Sequence, residues 1–170
     1  MCPAPPDPSP IAVDGRRREP PILVSACLLG VPCNHRGGAN PTVEVAALAA
    51  GHRLIPVCPE VAGGLETPRS PAERQPDDRV CTVDGEEVTD AYRRGANHAV
   101  RIALAVGADR AVLKARSPSC GSDAIYDGSF RRILVPGQGV TAEALRGAGV
   151  VVCSEEDLDA TGTLGASPGA

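Results

Sequence analysis

The sequence predicts an α/β fold with a Rossmann- or flavodoxin-like, mostly parallel sheet and helices on both of its faces. The first observation is a set of short apolar runs with β-branched residues, typical of buried strands, at residues 22–26, 53–57, 111–113 and 149–153. The second is the helix signals between these runs, because a strand, helix, strand order gives parallel strands joined by right-handed crossovers. We therefore predict one α/β domain over residues 22–158.

Composition limits the function classes. The chain has 170 residues, enough for a substantial core, but only 2% of them are aromatic, so Ala, Val, Leu and Ile must build that core. The net charge of −4 and the few aromatic residues offer neither the charge nor the stacking surface that nucleic acid needs, so nucleic acid is not an expected partner. No apolar run reaches the roughly 20 residues of a membrane span, and no secretory signal is recognisable. We therefore expect a cytoplasmic protein without a membrane partner.

The two ends of the chain predict disorder. Residues 1–21 are rich in proline and carry a run of three arginines, and residues 159–170 are rich in Gly, Ser and Pro. Cys2 lies in the first of these segments and is not expected to take part in a site.

Helical segments are predicted from their start and stop signals. Gly51 and Gly107 favour helix ends, and Ser, Thr or Asn residues favour helix starts. The predicted starts are at Asn40, Thr89, Thr141 and Ser154, and the helices extend to about residues 50, 106, 146 and 158.

Two further segments carry turn signals. Residues 61–87 form a long loop-rich excursion, a length that is usually functional and often covers a site. Within the excursion, residues 79–83 and 86–88 predict a small hairpin around Asp84-Gly85. Asp127-Gly128 predicts a second tight turn, followed by a strand over residues 131–135.

Three cysteines follow predicted strands. Cys27 and Cys58 come directly after an apolar run, and Cys120 follows the run at residues 111–113 after a segment with Pro118 that cannot continue the strand. The carboxyl ends of parallel strands meet at the edge of the sheet where ligands bind. Any one of them alone is also typical of a small buried apolar residue. The chain has no CxxC pair, which disfavours structural zinc. Three thiolates from separate loops suit a [4Fe–4S] cluster with one open iron, a Lewis acid whose natural partner is a soft sulfur atom.

Four separated motifs resemble those of the 2-thiouracil desulfidase family. In order they are SACLLG (residues 25–30), PVCPE (56–60) with Gly63-Gly64, KARSPSCG (114–121) and YDG (126–128). The resemblance spans residues 22–158 and implies a [4Fe–4S] cluster that is held by Cys27, Cys58 and Cys120. It also implies removal of sulfur from a small-molecule thiolated nucleobase, 2-thiouracil, to give uracil and sulfide. The acid/base groups that it implies are Glu60 and Ser119.

Neighbouring residues are candidates for substrate binding. Ser25, Ser117 and Lys114 lie in the same motifs, and we expect them to contact the substrate. Glu60 could instead be a solvated loop carboxylate, and Ser119 could satisfy only the backbone of its turn.

Two other functions remain open from the sequence. Cys33 or Cys153 could supply a fourth ligand, which would close the cluster and make the protein a redox or electron-transfer protein. Gly137-Gln138-Gly139 precedes a predicted helix and mimics part of a dinucleotide-binding fingerprint, which would indicate a nucleotide-binding module.

Overall fold

The computed structural model describes residues 19–162, which form eight strands and four α-helices. The predictions for residues 1–18, with Cys2, and for residues 163–170 lie outside the described residues. The elements are β1 (Ile22–Ser25), α1 (Val43–Leu48), β2 (Leu54–Val57), α2 (Pro59–Ala62), β3 (Ala72–Arg74), β4 (Val80–Thr82), α3 (Thr89–Val106), β5 (Arg110–Leu113), β6 (Ala124–Tyr126), β7 (Leu134–Pro136), α4 (Val140–Gly147) and β8 (Val151–Ser154), with short 3₁₀ turns at Ala26–Leu29 and Glu155–Asp157.

Four of these strands form one parallel sheet in the order β2-β1-β5-β8. The chain moves outward from β1 to β2 on one side and from β5 to β8 on the other, so the order reverses between β1 and β5. This is the doubly wound order of flavodoxin-like sheets, which bind ligands at that switch point beyond the carboxyl ends of the strands. The predicted parallel sheet is confirmed.

Alternate residues of the strands enter two separate cores. Leu23, Ala111 and Leu113 pack with residues of α3 and α4 on one face of the sheet. Val24 and Val112 pack on the other face, with α1 and the C-terminal 3₁₀ turn. Because successive side chains of a strand point to opposite faces, this pattern places helices on both faces, as predicted.

Outside the sheet there are two antiparallel strand pairs. β4 pairs with β3, and it also takes part in the predicted hairpin around Gly85, where Cys81 and Glu87 form an antiparallel bridge and Val88 N donates to Val80 O at 2.8 Å. β6 pairs with β7, which begins at Leu134 rather than at residue 131.

The dinucleotide-binding interpretation of residues 137–139 is wrong. The strand before them, β7, belongs to an antiparallel pair and not to the parallel sheet, so no strand–loop–helix unit of the required kind exists there. Gly139 instead packs against the backbone of Ser119.

Three predicted helix caps are also wrong, each because the residue has another partner. Thr42, not Asn40, caps α1, and its hydroxyl accepts from Val45 N at 3.2 Å, whereas Asn40 accepts from Asn34. The Thr89 hydroxyl accepts from Val80 N at 3.0 Å inside the fold. Thr141 lies within α4 rather than before it. Ser154 caps its 3₁₀ turn with a capping box, as predicted.

The first four residues of the predicted tail, 159–162, are ordered, contrary to the prediction. Residues 159–162 form a turn in which Gly162 N donates to Asp159 O at 2.9 Å. Gly162 packs against α1, since a Cβ atom there would lie 3.0 Å from Glu44 O. Within residues 19–162, none of the helices has the length and apolar character to cross a membrane.

Candidate active site

A cavity of about 870 Å³ opens at the carboxyl edge of the sheet. Its walls are the loops that follow β1, β2 and β5, part of the excursion over residues 61–87, and the loop between β6 and β7. Cys27, Cys58 and Cys120 all line it, as the pattern of cysteines at strand ends predicts, and Cys33 joins them. The fold therefore gathers four thiols from three strand-end loops and one neighbouring turn.

Cys27 is positioned by the short turn that ends β1. Gly30 has φ of 90°, a left-handed conformation that suits glycine, and its N–H donates back to the carbonyls of Ala26 and Cys27. The Cys27 carbonyl also accepts from Asn40 N at 2.8 Å. The backbone that carries this thiol is therefore fixed on two sides.

Cys58 lies at the start of α2, where Pro59 is the first helical residue. Its sulfur donates to the Cys33 carbonyl at 3.8 Å, which brings the loop after β1 against the loop after β2. Cys33 itself is buried.

Cys120 lies in a tight turn after β5, closed by a hydrogen bond of 2.8 Å from Gly121 N to Ser117 O. Position 121 has to be glycine, because a Cβ atom there would lie 2.9 Å from both Ser117 O and Ala124 O. The chain turns at this point and leaves the thiol of Cys120 buried at the base of the cavity.

Burial raises the pKa of the thiols of Cys27, Cys33 and Cys120. Burial is the main cause that raises the pKa of Cys27 from 9.0 to about 11, and neighbouring Cys58 and Glu60 add to it. Burial, followed by Cys58, raises the pKa of Cys33 to about 12. The pKa of Cys120 is raised by burial in the same way, and Glu60, Cys27 and Cys58 lie close enough to contribute. Metal binding would reverse this, because a coordinated thiol loses its proton.

The cysteine arrangement fits a polynuclear centre better than a single ion. Among residues 19–162, no three His, Cys, Asp or Glu side chains converge closely enough to hold one metal ion. In an iron–sulfur cluster each cysteine binds a different iron, so the sulfur atoms surround the cluster and do not meet at one point. Three thiols that line one cavity from different loops match that requirement.

Glu60 lies in the same cavity, in the first turn of α2. One carboxylate oxygen forms an ion pair with Arg69, and the other accepts a hydrogen bond from the Tyr92 hydroxyl at 3.4 Å. Its side chain is only 16% exposed. The Glu60 carboxylate is therefore fixed by two partners in the cavity that the thiols line, and it is not a solvated loop residue.

The predicted substrate-binding residues have firm partners. Ser25 accepts from Lys114 N at 2.9 Å, and the Lys114 ammonium pairs with Glu155. Ser117 accepts from both Ser119 N and Cys120 N at 3.1 Å, which leaves its own proton free to donate. All three predicted residues line the cavity.

Ser119 is the one predicted catalytic or substrate-binding residue that does not line the cavity. It is fully buried, its hydroxyl is hydrogen bonded to that of Thr141 at 2.9 Å, and it is not among the lining residues of the cavity. Its carbonyl accepts from Thr141 N, so it joins the turn to the start of α4. The Ser119 hydroxyl is therefore engaged in packing α4, and its predicted acid/base role gains no support from this geometry.

Several lining residues were not predicted. The two tyrosines and the one phenylalanine of the whole chain all line this cavity: Tyr92, Tyr126 and Phe130. Arg69, from the excursion, and His35 also line it. Burial and the nearby cations Arg36 and Arg69 lower the pKa of His35. The scarcity of aromatic residues could have drawn attention to those that the chain retains.

Two cysteines lie elsewhere. Cys153 donates to Ala111 O at 3.6 Å and lines a separate cavity of about 330 Å³ with Leu48 and Leu158, so it cannot complete the centre. Cys81 lies in β4 and does not line the large cavity. Cys33 is thus the remaining candidate for a fourth ligand within the part of the chain that the structure describes.

Comparisons with known proteins agree with this arrangement. Residues 22–157 match the family described as 2-thiouracil desulfurase. YbbK, an uncharacterised protein of Bacillus subtilis (strain 168), is 37% identical over 147 residues, which cover 81% of this chain and 97% of that protein. A solved structure of the [4Fe-4S]-dependent thiouracil desulfidase TudS is 46% identical with a TM-score of 0.77, and the match covers 82% of this chain and 93% of that one.

Proposed function

Because this chain belongs to the 2-thiouracil desulfurase family, we propose that it is a [4Fe–4S]-dependent desulfidase, which replaces the sulfur of a thiolated nucleobase with oxygen from water. The reaction is 2-thiouracil and water to uracil and hydrogen sulfide, and it needs no oxidant or reductant. The observation that carries the proposal is the presence of Cys27, Cys58, Cys120 and Glu60 around one cavity.

Cys27, Cys58 and Cys120 are the residues that would hold the cluster. They follow three different strands, and all three line the same cavity. A cluster with three protein ligands keeps one iron open, and that iron supplies a Lewis acid for the sulfur of the substrate.

Glu60 is the proposed general base. It would take a proton from water while the water oxygen forms its bond to the ring carbon that carries the sulfur. The carbon–sulfur bond then breaks, and the sulfur leaves as sulfide with the protons that the water supplied. Arg69 and Tyr92 hold the carboxylate toward the cavity for this step.

Ser117 is the proposed hydroxyl donor to the ring. Its oxygen already accepts two backbone N–H groups, so its proton is available to an oxygen or nitrogen of the substrate. Ser25 and Lys114 line the cavity beside Ser117, and the Ser25 hydroxyl fixes the backbone of Lys114 by accepting from its N–H.

A small base suits the cavity better than a nucleic acid. Tyr92, Tyr126 and Phe130 supply the apolar, flat surfaces that a pyrimidine ring contacts, and the volume of about 870 Å³ lies in the range of roughly 300–1,000 Å³ of small-molecule sites. We therefore propose a small-molecule thiolated nucleobase as the substrate.

The proposal is tested by anaerobic purification, iron and sulfide analysis, and an assay of sulfide release from 2-thiouracil. We expect a brown protein with about four irons per chain, the content of one cubane cluster. Sulfide release from the metal-free protein at the same rate, or none from the fully loaded protein, would overturn the proposal.

One observation favours a second candidate, an electron-transfer protein. Cys33 is buried beside Cys58 at the cavity wall, where it could complete a four-cysteine cluster. The two functions differ in spectroscopy, because an open iron changes its signal when 2-thiouracil binds and a closed cluster does not. Cys33→Ser should remove the cluster only if the closed form is correct.

A further inference from the structure

We propose that Arg69 is a positioning residue that fixes the Glu60 carboxylate by tying it to the loop that carries Cys33. The inference rests on the proposed function, because it concerns the carboxylate that we assign as general base. It adds a residue from the excursion over residues 61–87 to the machinery of the site.

The guanidinium of Arg69 has four hydrogen-bond partners. Nη2 pairs with Glu60 Oε2 and donates to the Cys33 carbonyl at 3.1 Å. Nη1 donates to Glu66 O at 3.2 Å and to the Thr67 hydroxyl at 3.1 Å. The Arg69 side chain is only 10% exposed. Nη1 is bonded to its own loop, and Nη2 is bonded to α2 through Glu60 and to the loop after β1 through Cys33.

The backbone of Arg69 strengthens this tie. Its N–H donates to His35 O at 2.9 Å, in the same turn as Cys33. The excursion is therefore bonded to the loop after β1 by both main chain and side chain. Arg69 cannot move without disturbing that loop.

The remaining partner of Glu60 is weaker. The Tyr92 hydroxyl reaches Oε1 at 3.4 Å, longer than the usual O–H···O distance of about 2.7–2.8 Å. The direction of the carboxylate is thus set mainly by Arg69, whose planar guanidinium suits that purpose.

Position matters here because Glu60 must act beside the thiols. The Cys33 carbonyl that accepts from Arg69 also accepts from Cys58 Sγ at 3.8 Å. Arg69 therefore connects the Glu60 carboxylate to the Cys33 carbonyl, which is also bonded to the proposed ligand Cys58. A shift of a reacting group by about 1 Å can cost on the order of 10²-fold in rate.

Arg74 offers a matched control. Its side chain is 14% exposed and bonds to Gln138 O at 2.7 Å, Asp78 and Glu143, so it is nearly as buried as Arg69 and has three partners where Arg69 has four. It lines a separate shallow groove and not the cysteine cavity. Loss of either arginine thus removes a comparable set of contacts, and only one set includes Glu60.

The experiment compares Arg69→Met, Arg69→Lys and Arg74→Met in the loaded enzyme, with 2-thiouracil as substrate. We expect Arg69→Met to lower kcat about 10²-fold with KM and iron content unchanged, a loss of the size expected for a displaced catalytic group. Arg69→Lys should lose less, since it keeps the charge, and Arg74→Met should keep the wild-type kcat.

A double variant separates positioning from general structural damage. In a Glu60→Gln background, Arg69→Met should cost nothing further, because an effect that passes through Glu60 disappears with it. In cluster-free protein, the infrared carboxylate band that Glu60→Gln removes should shift in Arg69→Met and not in Arg74→Met.

The outcomes are distinguishable. A wild-type kcat in Arg69→Met, or the same loss of kcat with and without the Glu60 carboxylate, would overturn the role of Arg69. A wild-type protein with a full cluster and no sulfide release would instead overturn the proposed function, whatever the arginine variants do.

Discussion

Gly95 of α3 lies directly against the carbonyl of Pro59 in α2. A Cβ atom at position 95 would lie 1.8 Å from Pro59 O, and in the reverse direction a Cβ atom at Gly63 would lie 2.0 Å from Ala91 O. The backbones of the two helices therefore pack without side chains between them. Pro59 stands between Cys58 and Glu60, so this contact sets the position of a proposed ligand and of the proposed base.

Gly95→Ala should therefore damage both stability and activity. The added methyl group forces α3 away from α2, and overpacking of this kind costs about 1–3 kcal/mol. We expect a lower free energy of unfolding in denaturant and a reduced kcat. Gly147→Ala is the control, because nothing lies within 4 Å of a Cβ atom at that helical position and alanine is the better helix former. Equal stability of the two variants would contradict the prediction.

The cysteine assignment predicts a clear division among variants. Cys27→Ser, Cys58→Ser and Cys120→Ser should each lose the cluster absorbance, because each removes one of three ligands. Cys81→Ser and Cys153→Ser should keep it, since neither thiol lines the cavity. Iron content and visible absorbance after anaerobic reconstitution measure the effect. Full iron in Cys58→Ser would remove that residue from the ligand set.

Two serines of the same turn should behave differently. Ser119→Ala leaves the buried Thr141 hydroxyl without its partner, so we expect a loss of about 1–3 kcal/mol in stability and a nearly unchanged kcat. Ser117→Ala should lower kcat about 10²-fold if its hydroxyl donates to the substrate, and Ser117→Thr should restore most of it. A large loss of kcat in a stable Ser119→Ala protein would support the catalytic role predicted for Ser119.

The buried thiols predict a pH dependence of alkylation in the cluster-free protein. The pKa of Cys27 is raised from 9.0 to about 11, so its reactive thiolate fraction should keep increasing through this interval. In the denatured chain the same thiol should show the midpoint of its profile near the ordinary pKa of 9.0. Peptide mass spectrometry after timed iodoacetamide treatment measures both profiles. A midpoint near pH 9 in the folded protein would contradict the burial of this thiol.

The approach of the cysteines was predictable in part from topology. Parallel strands end at one edge, so residues that closely follow β1 and β2, such as Cys27 and Cys58, approach each other there. Cys120 lies seven residues beyond Leu113, and the turn closed by Gly121 N and Ser117 O brings it to the same edge. The roles assigned to Cys27, Cys58, Cys120 and Glu60 remain predictions.

Other features depend on packing that sequence does not reveal. Ser119 is adjacent to Cys120, and only the approach of α4 decides that its hydroxyl points to Thr141. Arg69 lies in an excursion without periodicity, and its partner Glu60 is nine residues away on another element. Asn40 and Thr42 are both good cap residues, and the contact of Asn40 with Asn34 decides between them.

The placement of the aromatic residues has a spectroscopic consequence. The chain contains no tryptophan, and both of its tyrosines, Tyr92 and Tyr126, line the cavity. Tyrosine emission and the near-ultraviolet circular dichroism of the aromatic rings therefore originate at this one place. The protein carries its own optical probe, and a change in that signal on iron loading or on addition of 2-thiouracil reports on the cavity without any attached label.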